Sequence, residues 1–492
     1  MLFSIIKTLI YWIAIPFGTI AIFNISSKVL FHLNFGIGLV IFGVFWSSLA
    51  TAYLVLDGHG TPFSGKHSPK RLVTCGPYSM SKHPLYFGYM MYTLGLVLLF
   101  NLTLIWIWIP SVFFMLILSL FEEHRLLKKF PNHVTYRKGK PYFIPLKKWS
   151  VDPTIQPPFL FAFLYIIGKI LILFLYDVKS VGKEKIPDPP YLIVSNHSSY
   201  FDPFYLMDTN NSYMRSPVTW SHYNDMKWLL NNVGMFSVKR YTIDTSAIIN
   251  IIRTLKKGGI VGLFVESERN WDGKPLKVKN SIVHFLESVK VPILPMRIEG
   301  AHLAWPRWAK HFHVGKIKVV IGNALNPKEY QKALDFVLKD TVPQNSHYKD
   351  YRGIESYLWQ CPNCKTIGSI RSFKHGFECS HCHKIWLSPD IKKVREIHEQ
   401  IYPKSIENLP ISDEAIVNES ESKISLFTDH LRVAEEKLQI SAIKAALVES
   451  RHELYIYTKK LLKIVPSKTS PLMWKEWIDF LKRDDPDYWG YK

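Results

Sequence analysis

Cysteine is scarce in this 492-residue sequence, with five in all. So few exclude a disulfide-stapled scaffold, which needs several paired cysteines in a short chain. Acid is also in short supply, with 40 Asp and Glu against 61 Lys and Arg, a net charge of +21 at pH 7. An excess of that size calls for an anionic partner, either a nucleic acid or a membrane surface. No glycine-rich phosphate or dinucleotide loop is visible, which argues against nucleotide-cradling motifs. No internal repeat is visible either, which argues against a solenoid. The first apolar stretch has no small-residue cleavage site and further apolar runs follow it, so it reads as a membrane segment rather than a signal peptide.

What is present is unevenly spread. Residues 2–23, 35–55, 85–100 and 104–120 are nearly free of charge. A bilayer crossing takes ~20 residues, so these runs predict a helical transmembrane bundle of four spans, the last two joined at Asn101. Lys66, Lys70, Arg71 and Lys82 lie between the second and third runs. Arg125, Lys128, Lys129, Arg137, Lys138, Lys140, Lys147 and Lys148 follow the fourth, whereas the first outer loop holds only Lys28. The positive-inside rule then places both basic segments in the cytoplasm, and the expected location is a bacterial inner membrane. Residues 158–176 are apolar again but contain Lys169. A full crossing there would export everything downstream, so the segment reads as an interfacial helix, with a fifth span as the alternative.

From about 180 to 330 short β-rich runs (Tyr191–Ser195, Ile260–Val265, Ile293–Ile298, Ile317–Ile321) alternate with helical patterns, an α/β layout. Residues 403–421 are acidic and polar and read as a linker. Strand-like alternation then recurs at Lys423–Phe427, Ala442–Val448 and Glu453–Tyr457, and Pro471–Lys482 is an amphipathic helix. On that helix Trp474 and Trp477 are three apart and share a face, which suits core packing.

Four of the cysteines form two pairs, Cys361/Cys364 and Cys379/Cys382, with fourteen residues between the pairs. Each CxxC turn points two thiolates at one ion, so the four complete a zinc tetrahedron. A closed tetrahedron leaves no position for water, which makes the zinc structural. His375, His381 and His383 read as solvated. The basic residues lack an aromatic-interleaved array, so no nucleic-acid partner is expected and the charge is assigned to a membrane surface.

Tyr191–Ser195 runs straight into Asn196-His197-Ser198-Ser199-Tyr200-Phe201-Asp202. A loop that curls back after the strand would let Asp202 hold one imidazole nitrogen of His197, freeing the other to take a proton from a hydroxyl. Taken alone, the pair more often marks a turn histidine with a helix-capping Asp. Three further blocks accompany it: Gly234 to Arg240; Phe264-Val265-Glu266-Ser267-Glu268-Arg269 with Asp272-Gly273; and Val291-Pro292-Ile293-Leu294-Pro295.

In that order and spacing the four blocks resemble the lysophosphatidate (glycerol-phosphate) acyltransferase family. The resemblance implies His197 and Asp202 as catalytic, and Asn196, Arg240, Glu266 and Arg269 as substrate-binding. It implies acyl-CoA or acyl carrier protein as donor and a membrane lysolipid as acceptor. The family's third block reads Phe-Pro-Glu-Gly-Thr-Arg; here Val265, Ser267 and Glu268 replace Pro, Gly and Thr. Glu268 adds a negative charge that would repel a dianionic phosphate, so the acceptor is expected to carry a larger head group or to be another lipid alcohol.

Upstream, Gly76-Pro77-Tyr78 precedes Lys82-His83-Pro84-Leu85-Tyr86-Phe87-Gly88, and Glu122-Glu123 follow the apolar hairpin. Residues 35–146 resemble the isoprenylcysteine carboxyl and phospholipid N-methyltransferase families. The resemblance implies His83, Tyr86, Gly88, Glu122 and Glu123 as contacts for S-adenosylmethionine, with Lys82 standing where those families have Arg.

The expected organisation is multidomain. Residues 1–150 form a transmembrane methyltransferase-like domain and 151–350 an α/β acyltransferase domain. Residues 355–390 form a zinc ribbon and 420–485 a small β-rich, pleckstrin-homology-like (PH-like) domain. Two other organisations suit the same residues: a methyltransferase carrying a lipid-binding acyltransferase-like domain, and a non-enzymatic membrane scaffold.

Overall fold

Glycine sets how closely the N-terminal helices pack. Helix α1 (Leu33–Leu56) crosses α2 (Pro84–Phe100) at Gly43 and Gly88. A Cβ on Gly43 would sit 2.3 Å from the Tyr92 backbone nitrogen, and one on Gly88 would sit 2.3 Å from Ser47 Oγ. Gly36 and Gly95 make the same kind of approach about two turns further along. Without a Cβ the two backbones come together at these positions, the usual glue between apolar helices.

The structure, a computed structural model, describes residues 13–16, 18, 33–62, 68–100, 102–240, 244–266, 268–340, 342–449 and 451–489. Nearly all of the expected 2–23 span, together with Asn101 and Ser267, lies outside these residues. Among them two helices are long and apolar enough to cross a membrane, Leu33–Leu56 and Leu102–Lys129. The second ends in α3 (Ile105–Lys129), and α2 is shorter at 17 residues. The 158–176 segment is helix α4 (Phe159–Leu175). Its charge is satisfied internally, because Lys169 Nζ and the Tyr165 hydroxyl both donate to Asn211 Oδ1 at 3.0 Å.

The chain divides into two compact units: residues 1–170 with 211–215 and 225–236, and the remainder. In the second unit five strands form one mixed sheet. These are β1 (Tyr176–Val181), β2 (Tyr191–Ser195), β3 (Ile260–Phe264), β4 (Ile293–Glu299) and β5 (Gly315–Ile321), in the order β1-β5-β4-β2-β3. Strand β2 is buried along its whole length and runs parallel to both neighbours, in register Ser195↔Phe264 and Ser195↔Met296. A continuous run of Tyr, Leu, Ile and Val suits a strand covered on both faces. Only β4 and β5 pair antiparallel. Helices α5 (Asp202–Asn210), α6 (Thr245–Lys256), α7 (Asn280–Ser288) and α8 (Tyr330–Val337) accompany the sheet.

The cysteine segment forms a three-stranded antiparallel ribbon of β6 (Ile370–Phe373), β7 (Gly376–Cys379) and β8 (Ile385–Leu387), followed by helix α9 (Ile391–Ile401). A seven-stranded antiparallel sheet follows. Its strands are β9 (Ile411–Val417), β10 (Ser420–Leu426), β11 (His430–Val433), β12 (Glu436–Gln439), β13 (Ala445–Val448), β14 (Leu454–Tyr457) and β15 (Leu461–Pro466), in the order β12-β11-β10-β9-β15-β14-β13. Helix α10 (Pro471–Leu481) closes it.

Strand β9 corrects the linker expected over 403–421. Ile411, Asp413, Ala415 and Val417 are buried while Ser412, Glu414 and Ile416 face outward, the period of two of a half-buried strand. The β-plus-helix expectation is met in strand and helix; its PH-like assignment rests on that element count alone. Trp474 and Trp477 are buried in a core that also takes in Trp308, Tyr351 and Phe377. Ribbon, β-sheet and the end of the α/β region thus share one core, as units too small to bury enough surface alone tend to do.

Candidate active site and metal centre

Parallel pairing of β2 with β3 brings the two motif loops out at one edge of the sheet. Ligands of open α/β sheets bind at such carboxyl-terminal edges. After β2 the chain turns through Asn196 to Phe201 and enters α5 at Asp202. Asp202 is fully buried, and its Oδ2 accepts from the backbone N–H of Ser198 at 2.6 Å and of Ser199 at 2.8 Å. The same oxygen lies 2.8 Å from His197 Nδ1. The carboxylate therefore fixes both the loop and the ring, and leaves Nε2 for a substrate proton. The imidazole stacks on Phe264, with ring centroids 4.2 Å apart. Burial lowers the His197 pKa from its usual value; Asp202 pulls it back up, and Arg269 and Arg240 add to the lowering. The ring is thus held neutral, the form a general base needs.

Arg269 is buried and lies with its guanidinium 3.3 Å from the Tyr200 ring centroid. Burial brings its pKa down to about 10, and it stays charged at neutral pH. Arg240 is less enclosed, and it also shifts His197 electrostatically. The structure thus brings His197, Asp202, Arg240 and Arg269 to one place.

Two of the expected substrate-binding residues are hydrogen-bonded within the protein. Asn196 donates through Nδ2 to the Ile298 carbonyl at 2.9 Å and accepts the Ile298 N–H at 2.8 Å. It bridges β2 and β4, and both ends of its carboxamide are spent on backbone. Glu266 accepts the His197 N–H at 2.5 Å and the Leu276 N–H at 2.7 Å. It ties the two motif loops together, and burial pushes its pKa up to about 8.

The altered residue Glu268 is buried and pairs with Arg307, also buried, at 3.1 Å. Its charge is compensated within the protein, so the repulsion expected of it is absorbed by Arg307. Sequence reasoning missed Arg307, which lies outside every motif, and Asn270, whose backbone N–H donates to the His197 carbonyl at 3.2 Å. It also missed Glu449, whose Oε2 lies 3.6 Å from Arg240 and 3.4 Å from His222 Nε2. No local pattern marks that residue.

In the N-terminal unit His83 is buried between the paired acids. Its Nδ1 lies 3.6 Å from Glu122 and its Nε2 lies 3.5 Å from Glu123. Lys82 and Arg137 approach Glu123 at 3.9 and 3.6 Å. Tyr86 meets the His83 ring edge-on with centroids 5.7 Å apart, and Tyr142 stacks on it at 5.9 Å. The segment carrying Tyr142 is pinned by backbone bonds from Lys82 to Pro141 and from His83 to Tyr142, each 2.9 Å. Four of the five expected cofactor residues therefore gather at one place. Gly88, the fifth, lies at the helix contact, against Ser47.

The four cysteine ligand atoms lie within 4.8 Å of one another. Cys361–Cys382 and Cys364–Cys379 sulfurs are 3.7 and 3.6 Å apart. A zinc tetrahedron with Zn–S bonds of ~2.3 Å has edges of roughly 3.8 Å, so the donor set fits that ion. Lys365 and His383 take positive φ angles of 60° and 57° just after each pair, closing the knuckles. His375, His381 and His383 are exposed.

Comparison with known proteins matches two family models to separate stretches of the chain. Residues 177–299 match the Acyltransferase family model and residues 31–133 the Phospholipid methyltransferase model. The chain is similar to a 1-acyl-sn-glycerol-3-phosphate acyltransferase of Bacillus subtilis (strain 168), 28% identical over 167 residues, 33% of this chain and 80% of that protein. It is also similar to the chloroplastic 1-acyl-sn-glycerol-3-phosphate acyltransferase BAT2 of Brassica napus, 26% identical over 154 residues, 30% of this chain and 44% of that protein. Among solved structures, a 1-acyl-sn-glycerophosphate acyltransferase from Thermotoga maritima is 25% identical, with 37% of this chain and 77% of that chain covered and a TM-score of 0.33.

Proposed function

We propose that this chain, a fusion of a phospholipid-methyltransferase-family domain and an acyltransferase-family domain, moves a fatty acyl chain from a thioester to a hydroxyl of a glycerol-phosphate-type lysolipid. The observation that carries the proposal is His197, held neutral with Nδ1 on a buried Asp202, beside Arg240 and Arg269. His197 Nε2 takes the proton of the acceptor hydroxyl as its oxygen attacks the thioester carbonyl. The C–S bond then breaks, and the leaving thiolate takes that proton from the imidazolium. Asp202 keeps the ring oriented and stabilises its charged form between the two steps. Arg240 and Arg269 position the acceptor phosphate, for which forked guanidinium donors are suited. The donor is acyl-CoA or acyl carrier protein. The basic segments flanking the helical hairpin support a cytoplasmic face for the catalytic regions.

A second activity is favoured by the cluster around His83. S-adenosylmethionine supplies an electrophilic methyl group when bound. The residues fit such a cationic, aromatic-bearing group. His83 Nε2 and Glu123 Oε1 are buried 3.5 Å apart, and the rings of Tyr86 and Tyr142 lie beside them. Glu122 and Glu123 would face the positive charge, Tyr86 and Tyr142 would offer ring faces, and His83 would hold the two acids in place.

The test is lipid mass spectrometry of one host expressing wild type, His197→Ala, His83→Ala or an empty vector. The expected result is a lipid that gains one acyl chain only when His197 is intact, and a methylated product that disappears in His83→Ala. Identical lipids from wild type and His197→Ala would sink the acyltransferase reading.

A further inference from the structure

Glu449 lies just past β13, in the C-terminal sheet, far in sequence from the motif loops. It is only 3% exposed. Its Oε2 approaches Arg240 at 3.6 Å and His222 Nε2 at 3.4 Å, and its backbone carbonyl accepts from Arg269 at 3.4 Å. Its other carboxylate oxygen, Oε1, is buried with no hydrogen-bond partner. One acid from the β-sheet thus touches both arginines that the proposed reaction assigns to the acceptor, and keeps one oxygen unspent.

We infer that Glu449 is the specificity-determining residue of the acceptor site, selecting a lysolipid whose head group carries a phosphodiester monoanion and an N–H or O–H donor over one ending in a phosphate monoester. This rests on the acyltransferase reading above and adds the acceptor class to it. Arg240, Arg269 and Arg307 bring three positive charges, and Glu268, paired with Arg307, cancels one. Glu449 cancels a second. Arg240 and Arg269 are thus already opposed by one buried acid, which favours a phosphodiester over a dianion. A phosphate monoester would also press its second charge against a buried carboxylate, which is costly where water is excluded. A head-group ammonium or hydroxyl would instead donate to Oε1 and remove the cost of leaving that oxygen unpaired. Discrimination of this kind, by a group the wrong ligand leaves unsatisfied, exceeds what shape alone supplies.

The experiment measures kcat/KM of the purified full-length protein in mixed micelles, with lysophosphatidylethanolamine and lysophosphatidate as acceptors. Wild type is expected to favour lysophosphatidylethanolamine by ~10-fold or more, the ratio expected for one unpaired buried polar group. Glu449→Gln is expected to cut that ratio by ~10-fold, mainly through a lower KM for lysophosphatidate. Glu449→Asp keeps the charge and is expected to keep the wild-type order. An unchanged ratio in Glu449→Gln, an equal gain for both acceptors, or a wild-type preference for lysophosphatidate would each overturn the inference. The affinities of His197→Ala for the two lipids, measured in the same micelles, are expected to show the wild-type order without turnover; equal affinities would also overturn it. Turnover persisting in His197→Ala would instead defeat the acyltransferase reading, whatever Glu449 does.

Discussion

His197 Nδ1 and Asp202 Oδ2 lie 2.8 Å apart, and that one oxygen also closes the loop between them through two backbone N–H groups. Ring orientation and loop shape therefore depend on the same atom. Asp202→Asn preserves the size of the side chain but offers an amide where the carboxylate stood. The expected outcome is a fall in kcat of about 10²–10⁴, with little change in KM for the acceptor, read by thiol release from the donor. A kcat within a factor of three of wild type would show that Asp202 only shapes the loop.

The pH profile follows from the lowered pKa of His197. Burial disfavours the imidazolium, so the neutral base persists to a pH below the ordinary value of 6.5. Protonation removes the base, so kcat/KM falls on the acid side only, by about tenfold per pH unit once below that pKa. The acid limb is expected to have its midpoint under 6.5. A midpoint above 7 would mean that Asp202 outweighs burial.

Removing the metal has a structural consequence. Cys361 and Cys379 belong to the core that also contains Trp474 and Trp477. Zinc bound by four thiolates contributes folding free energy directly. The purified protein is expected to hold one zinc per chain by elemental analysis. Cys361→Ser or Cys379→Ser is expected to lose it and to melt at lower temperature. Wild-type protein that holds no zinc and melts unchanged in a strong chelator would contradict the assignment.

Asn196→Ala removes two buried hydrogen bonds to Ile298. Each lost partner in such a place costs about 1–3 kcal/mol. A lower melting temperature is expected, with the acceptor KM near wild type in the protein that remains folded. A many-fold rise in KM with unchanged melting would restore Asn196 to substrate binding.

At Gly88 a methyl group would meet Ser47 Oγ at 2.3 Å. Gly88→Ala is expected to separate α1 from α2 at about 1–3 kcal/mol, seen as poor yield and early melting in detergent. A stable Gly88→Ala protein with weakened S-adenosylmethionine binding would instead return the residue to the cofactor site.

What the sequence determined by itself is what depends on neighbours along the chain. His197 and Asp202 are five residues apart, and each CxxC pair is closed by one turn, so their geometry follows from a short loop. Apolar runs mark Tyr191–Ser195 as a strand and Leu33–Leu56 as a helix, because burial leaves a period or a length in the residues themselves. Strand Ile411–Val417 escaped because its outward positions carry Ser, Glu and Ile beside a buried Asp413, and acid in that stretch imitates a linker. Strand Tyr176–Val181 directly follows an apolar helix, and nothing local separates the two. Asn196 on Ile298, Glu268 on Arg307 and Glu449 on Arg240 were decided by the tertiary structure alone. They join positions 102, 39 and more than 200 residues apart. Only strand order and the packing of one core against another settle which charges meet once water has been excluded, and no spacing along the chain records it.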